Sequence, residues 1–189
     1  MTKPVQGDED KLLASLAQAL IESPDANLQE LAQAIGISKA TLYRFCRTRE
    51  LLIERLTRHA ADALSHAIRT AGLDGPSPEE SLRQLAANCL ENPELLLFLM
   101  YFWRTGAPIE QQLETEWQLT LDAFFLRGQQ AGVFRVDMAA AAMTELWISM
   151  LVTLQDAQRR GRIARLGLPA LFETAFLHGI SRRQEAAPR

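Results

Sequence analysis

The sequence predicts an all-α protein, on three observations. Its composition is rich in Ala, Leu, Gln, Glu and Arg and poor in β-branched runs, which favours helix. Apolar residues recur at three- and four-residue spacing almost throughout, the period of one helix face. The breaks in that pattern carry caps, prolines and glycines where helices start and stop.

Each element follows from these signals. A first helix is expected over residues 8–22, with Leu13, Leu16, Ala17 and Leu20 on one face and Ser23-Pro24-Asp25 as its stop. Asn27, with Glu30 three residues on, forms a capping box for a short helix over 28–34, which Gly36 ends. Ser38 caps a third helix over 39–47. Thr48 caps a fourth, which carries Leu52, Leu56, Ala60, Leu64 and Ile68 and ends near Gly72. A loop over 72–78 precedes a helix that starts at Ser77-Pro78-Glu79-Glu80. Asn92-Pro93 opens the next, which ends at 106–108. Further helices are expected over 109–131, closed by Gly132, from Asp137 to about 160, and from Leu168-Pro169 to about 181, after which the chain frays.

At 189 residues the chain has room for a small domain, 1–50, and a larger one, 51–189. A net charge of -3 does not advertise nucleic-acid binding, so any basic patch must be local. Cys46 and Cys89 fit neither a disulfide framework nor a zinc knuckle, and a reducing compartment is the simplest reading. The N-terminus lacks a signal-peptide core, and the longest apolar run, 95–103, is too short to cross a bilayer. A cytoplasmic protein without a membrane partner is expected. There is no nucleophile elbow, phosphate-cradling glycine loop or paired catalytic carboxylate with a plausible base, so no enzyme and no cofactor are expected. His59, Asp62 and His66 lie at i, i+3 and i+7, but a solvated face is the preferred reading and no metal site is assigned.

Two short helices joined by a glycine turn and preceded by a third make a helix-turn-helix, with its motif over about 27–46. Leu31, Ala32, Ile35, Ile37 and Leu42 are spaced to lock the pair. Lys39, Ala40, Tyr43 and Arg44 then share the outward face of the third helix. Lys39 and Arg44 can neutralise phosphates or reach guanine acceptors, and Ala40 and Thr41 can approach base edges. Tyr43 offers a ring and a hydroxyl, and Ser38 sits at a helix start suited to a phosphate. Between residues 36 and 58 there are six basic residues (Lys39, Arg44, Arg47, Arg49, Arg55, Arg58) against Glu50 and Glu54. The motif thus carries the local positive charge that the chain as a whole lacks.

The run Ile35-Gly-Ile-Ser-Lys-Ala-Thr-Leu-Tyr-Arg44, followed by Thr48-Arg-Glu-Leu-Leu52, resembles the signature of the tetracycline-repressor (TetR) family in order, spacing and position. The resemblance places Ser38, Lys39, Ala40, Thr41, Tyr43, Arg44 and Phe45 on DNA-contact positions. It matches Arg49 to a basic residue that holds a phosphate. There are departures. Cys46 stands where the family usually has a buried phenylalanine, so different packing of the third helix is expected, with Phe45 compensating. The first helix carries Asp8, Glu9 and Asp10 in place of basic residues, and its Gly-aromatic ending is replaced by Glu22-Ser-Pro-Asp25.

The second half resembles the family only in helix layout. The resemblance implies a homodimer on a palindromic operator in double-stranded DNA, which also makes physical sense of one short recognition helix. The candidate dimer surface comprises Met143, Leu146, Trp147, Met150, Leu154 and Ala157, together with Leu171, Phe172, Ala175, Phe176 and Gly179. Met100, Tyr101, Trp103, Trp117, Phe124 and Trp147 are candidates to line a pocket for a small hydrophobic or aromatic ligand, with Arg104 or Glu114 at its mouth. The resemblance further implies a repressor released when an unidentified effector tilts the fourth helix and changes the spacing of the recognition helices. The alternative is a DNA-bound adaptor or architectural protein with a filled core and no effector.

Overall fold

The computed structural model describes residues 6–103 and 111–180. Within them every regular element is helical: α1 (Gln6–Glu22), α2 (Leu28–Ala34), α3 (Lys39–Phe45), α4 (Arg49–Thr70), α5 (Pro78–Glu91), α6 (Pro93–Trp103), α7 (Gln111–Gln130), α8 (Ala140–Arg159), a 3-10 turn (Arg165–Gly167) and α9 (Leu168–Ile180). The end expected for the sixth helix at 106–108 and the frayed terminus lie outside the described residues. Two compact units form. The first takes α1–α3, α4 as far as Ser65, and α6; the second takes the rest of α4, α5 and α7–α9.

In the first unit, α1 buries Leu13, Leu16, Ala17 and Leu20, the stripe its spacing defines. α6 packs on α1, with residues 95–99 and Phe102 buried. The Phe98 and Phe102 rings stack at 4.5 Å. The α2 capping box forms as the sequence dictates. Asn27 Oδ1 accepts from the Gln29 and Glu30 amides at 2.9 and 3.1 Å, and Glu30 Oε2 accepts from the Asn27 amide at 2.8 Å. Gly36 turns the chain at φ +73°, a backbone region that L side chains rarely enter.

α3 ends at Phe45 rather than at 47. Cys46 is extended, at φ −150° and ψ 129°, and its buried thiol donates to the Thr48 carbonyl at 3.4 Å. Burial pushes that thiol above its ordinary pKa. Ending α3 there frees Thr48 to cap α4, its Oγ1 accepting from the Leu51 amide at 3.2 Å.

The second unit is organised around aromatic rings. Phe134 contacts Phe124 and Phe125 at centroid distances of 5.9 and 5.7 Å, and Phe125 meets Phe176 at 6.0 Å. Phe176 stacks on Phe172 at 5.8 Å, and Phe172 meets Trp147 edge-on at 5.9 Å. α8 starts at Ala140 rather than at Asp137, because the Asp137 carboxylate is taken by the Arg135 guanidinium through contacts of 2.6 and 2.5 Å. The cap position falls to Ala139, which offers no side-chain hydrogen bond. Cys89 is buried in this unit, and desolvation pushes its thiol pKa up to about 12.

Candidate nucleic-acid interface

α2 and α3 pack through buried Leu28, Leu31, Ala32 and Leu42, with Ile35 and Ile37 half-buried at the turn. This apolar seam decides what α3 presents outward. Ser38, Lys39, Ala40, Tyr43 and Arg44 are exposed, while Thr41 and Phe45 are half-buried. The structure therefore exposes Lys39, Ala40, Tyr43 and Arg44 together on the outward side of α3, with Thr41 and Phe45 turned partly inward.

Their partners differ. Ser38 caps α3, its Oγ accepting from the Thr41 amide at 3.1 Å and lying 2.8 Å from Thr41 Oγ1. Lys39 Nζ donates to Gln29 Oε1 at 3.1 Å and sits 5.4 Å from the Tyr43 ring centroid. Arg44 and its neighbour Arg47 make no hydrogen bond or ion pair among the described residues and are exposed. Two guanidinium groups are thus available to an anionic backbone at the end of α3.

Arg49 is arranged differently. Its guanidinium is half-buried and donates to the Ala26 carbonyl at 3.2 Å and to the Pro24 carbonyl. In this geometry Arg49 ties the start of α4 to the α1–α2 loop, and only its remaining N–H groups are left for a phosphate.

Two residues outside the sequence candidates hold α3 in place. Arg55 lies over the Phe45 ring, its guanidinium carbon 3.8 Å from the centroid. It also donates to the Phe45 carbonyl at 3.1 Å and pairs with Glu9 at 2.5 Å. The acid-rich start of α1 therefore has a structural use: Glu9 anchors the arginine that packs against the end of α3. Replacing Arg55 with Met should cost about 2 kcal/mol, the lower end of what a cation–π contact and a charge-assisted hydrogen bond sum to, as suits a partly exposed site. Urea denaturation checks it, and an unchanged midpoint would show that the stack contributes nothing.

Among the described residues no group of three His, Cys, Asp or Glu side chains stands where it could hold a metal ion. His59 Nε2 lies 3.7 Å from Asp10 Oδ1. No helix of the described residues is long and apolar enough to cross a membrane.

The ligand-lining candidates separate. Met100, half-buried, and Tyr101, exposed, sit on α6 in the first unit; Trp103 ends that helix, and Arg104 lies outside the described residues. Trp117, Phe124 and Trp147 are buried in the second unit, and Glu114 is half-buried on α7. Spacing alone did not single out the polar atoms among them. Thr144 Oγ1, Trp147 Nε1 and both amide atoms of Gln155 are buried without a partner among the described residues. Residues 144, 147, 151 and 155 share one face of α8. The available signal was a pair of polar residues on an otherwise apolar stripe.

The helical fold and the exposed, basic face of α3 define a helix-turn-helix regulator that binds DNA. The chain is 43% identical over 176 residues to the HTH-type transcriptional regulator NfxB of Pseudomonas aeruginosa, covering 92% of this chain and 94% of that protein. It is 28% identical over 90 residues to the HTH-type transcriptional repressor LfrR of Mycolicibacterium smegmatis, 48% of each. The fold matches the TetR-family regulator PfmR of Thermus thermophilus at a TM-score of 0.69 and 24% identity, covering 90% of this chain and 99% of that one. It also matches LfrR of Mycobacterium smegmatis in complex with proflavine, at a TM-score of 0.66 and 20% identity over 94% of this chain and 99% of that one. No protein-family model matches the chain. The chain belongs to the TetR family of transcription regulators, a family that is not enzymatic.

Proposed function

We propose that this regulator is a cytoplasmic repressor. It binds a palindromic operator as a homodimer and leaves it when a small hydrophobic or aromatic ligand enters its larger domain. The proposed DNA-contact set is Ser38, Lys39, Ala40, Thr41, Tyr43, Arg44, Phe45 and Arg49, within a DNA-binding domain over 1–50. The observation that carries the DNA reading is the α3 face, where Lys39, Tyr43 and Arg44 are exposed together over a buried Leu42.

The dimer reading is supported by the apolar residues that folding leaves uncovered. Met143, Trp147, Phe172 and Phe176 are buried within the chain, whereas Leu146 and Leu171 remain 46% and 41% exposed. Met150, Leu154 and Ala157 on α8 are half-buried, and Ala175 and Gly179 on α9 are exposed. The uncovered subset is the proposed self-complementary surface.

The ligand reading, in the domain over 51–189, draws on LfrR, whose structure is a complex with proflavine. It also draws on the atoms of Trp147 and Gln155 that have no partner among the described residues, since a buried polar group without a partner costs about 1–3 kcal/mol. The burial of Trp117, Phe124 and Trp147 equally suits the adaptor with a filled core.

The test is selection of bound fragments from genomic DNA, then gel shifts on the enriched site with and without flat hydrophobic compounds. A two-fold symmetric site, bound by a dimer and released by a compound, is expected. An asymmetric site bound by a monomer would overturn the dimeric reading. Binding that no compound releases would favour the adaptor.

A further inference from the structure

Within the second unit, α5 and α9 pack against each other and leave a groove of about 300 Å³ between them. That volume suits a body of two or three fused rings, at the lower end of small-molecule sites. Leu82, Ala86 and Leu90, at i, i+4 and i+8, form the α5 wall, and Phe172 lies opposite on α9.

The charges at the groove are unbalanced. Glu173 and Glu91 line it together with Arg83. Arg83 is held on both sides, 2.6 Å from Glu173 and 3.1 Å from Glu80, so its charge is already committed to carboxylates. Glu91 is exposed and makes no hydrogen bond or ion pair among the described residues. Two lining carboxylates thus stand against one guanidinium whose charge Glu173 and Glu80 already offset, an arrangement that attracts a cation and repels an anion.

We propose that this groove binds a flat amphipathic organic cation, its apolar body on Leu82, Ala86, Leu90 and Phe172 and its charge against Glu91. The proposal rests on the effector reading above and gives the effector a place and a charge. It also has a route to assembly. The Phe172 ring that walls the groove meets Trp147 edge-on at 5.9 Å and stacks on Phe176 at 5.8 Å. Leu171 and Ala175, neighbours on the same helix, belong to the proposed dimer surface. An occupant pressing on Phe172 therefore acts on α9 from the groove side and alters the environment of Trp147.

The experiment uses the full-length protein without DNA and two flat tricyclic probes, cationic proflavine and neutral phenazine, with calorimetry and Trp emission as readouts. Proflavine is expected to bind at least about tenfold more tightly than phenazine, a difference of about 1.4 kcal/mol, and to weaken as salt is raised. Glu91→Gln should remove most of that preference. Ala87→Trp, which fills the groove from an exposed α5 position, should block both probes. Unaltered thermal melting of the two variants confirms that they fold.

Proflavine binding that neither variant alters would overturn the groove while leaving the effector reading standing. Equal binding of both probes, blocked by Ala87→Trp, would overturn the cation assignment. Conversion of the dimer to monomer by Ala87→Trp would make the groove an interface between copies and overturn the proposal. Failure of every flat probe, charged or neutral, would remove the effector reading itself.

Discussion

Replacing Lys39 and Arg44 together with alanine should lower operator affinity by two orders of magnitude or more, while the protein melts at its ordinary temperature. Each contact of this kind is worth about 1–3 kcal/mol when it reads a base edge. Arg44 should account for the larger share. It is exposed and has no competing partner among the described residues, so it loses only side-chain entropy on binding. Lys39 must first leave Gln29 Oε1, at 3.1 Å, and its seat over Tyr43, which offsets part of its gain. If both side chains hold phosphates instead, affinity falls equally on all sequences and the salt dependence loses about two units of slope per subunit. Fluorescence anisotropy at several salt concentrations separates the two cases. Unchanged affinity at every salt concentration would remove the α3 face from the interface.

Much of this architecture was legible because its causes are local. The Asn27–Glu30 box, the Gly36 turn and the Thr48 cap depend on residues within a few positions of one another, and all three form. The exposed face of α3 was legible for a similar reason, since burying Leu31, Ala32 and Leu42 leaves only one way for Lys39, Tyr43 and Arg44 to point.

What escaped depends on partners distant in sequence or on a competing local bond. The clamp on Phe45 joins Arg55 to Glu9, 46 residues away, and no pattern along α1 announces it. Arg49 reads as a free cation in the sequence, yet the Pro24 and Ala26 carbonyls hold it. Asp137 has the right chemistry for a helix cap, but two residues earlier Arg135 offers it a stronger partner than a backbone amide. The dimer and ligand candidates were mixed because helical spacing identifies an apolar stripe without saying which of its residues the chain itself covers. The structure separates Trp147 and Phe172 inside from Leu146 and Leu171 outside.

Gly128 should prove hard to replace, and the reason makes a sharp test. It sits within α7, where alanine ordinarily stabilises by about 1 kcal/mol. Here the Phe134 amide donates to the Gly128 carbonyl at 3.2 Å, folding the ring onto the helix, and a Cβ at Gly128 would overlap Phe134 Cδ2 and Cε2. The ring cannot step aside, because it is fully buried between Phe124 and Phe125. Gly128→Ala should therefore destabilise the protein by about 3 kcal/mol, at the upper end of overpacking costs. Phe134→Ala alone should cost about 3–5 kcal/mol through the lost burial and the cavity left behind. In the double variant the methyl enters vacated space and the helix regains its preference. Gly128→Ala should then change sign, making the double variant up to about 1 kcal/mol more stable than Phe134→Ala. Denaturant midpoints of the four proteins close the cycle. Additive losses would show that Gly128 is needed for something other than room for the Phe134 ring.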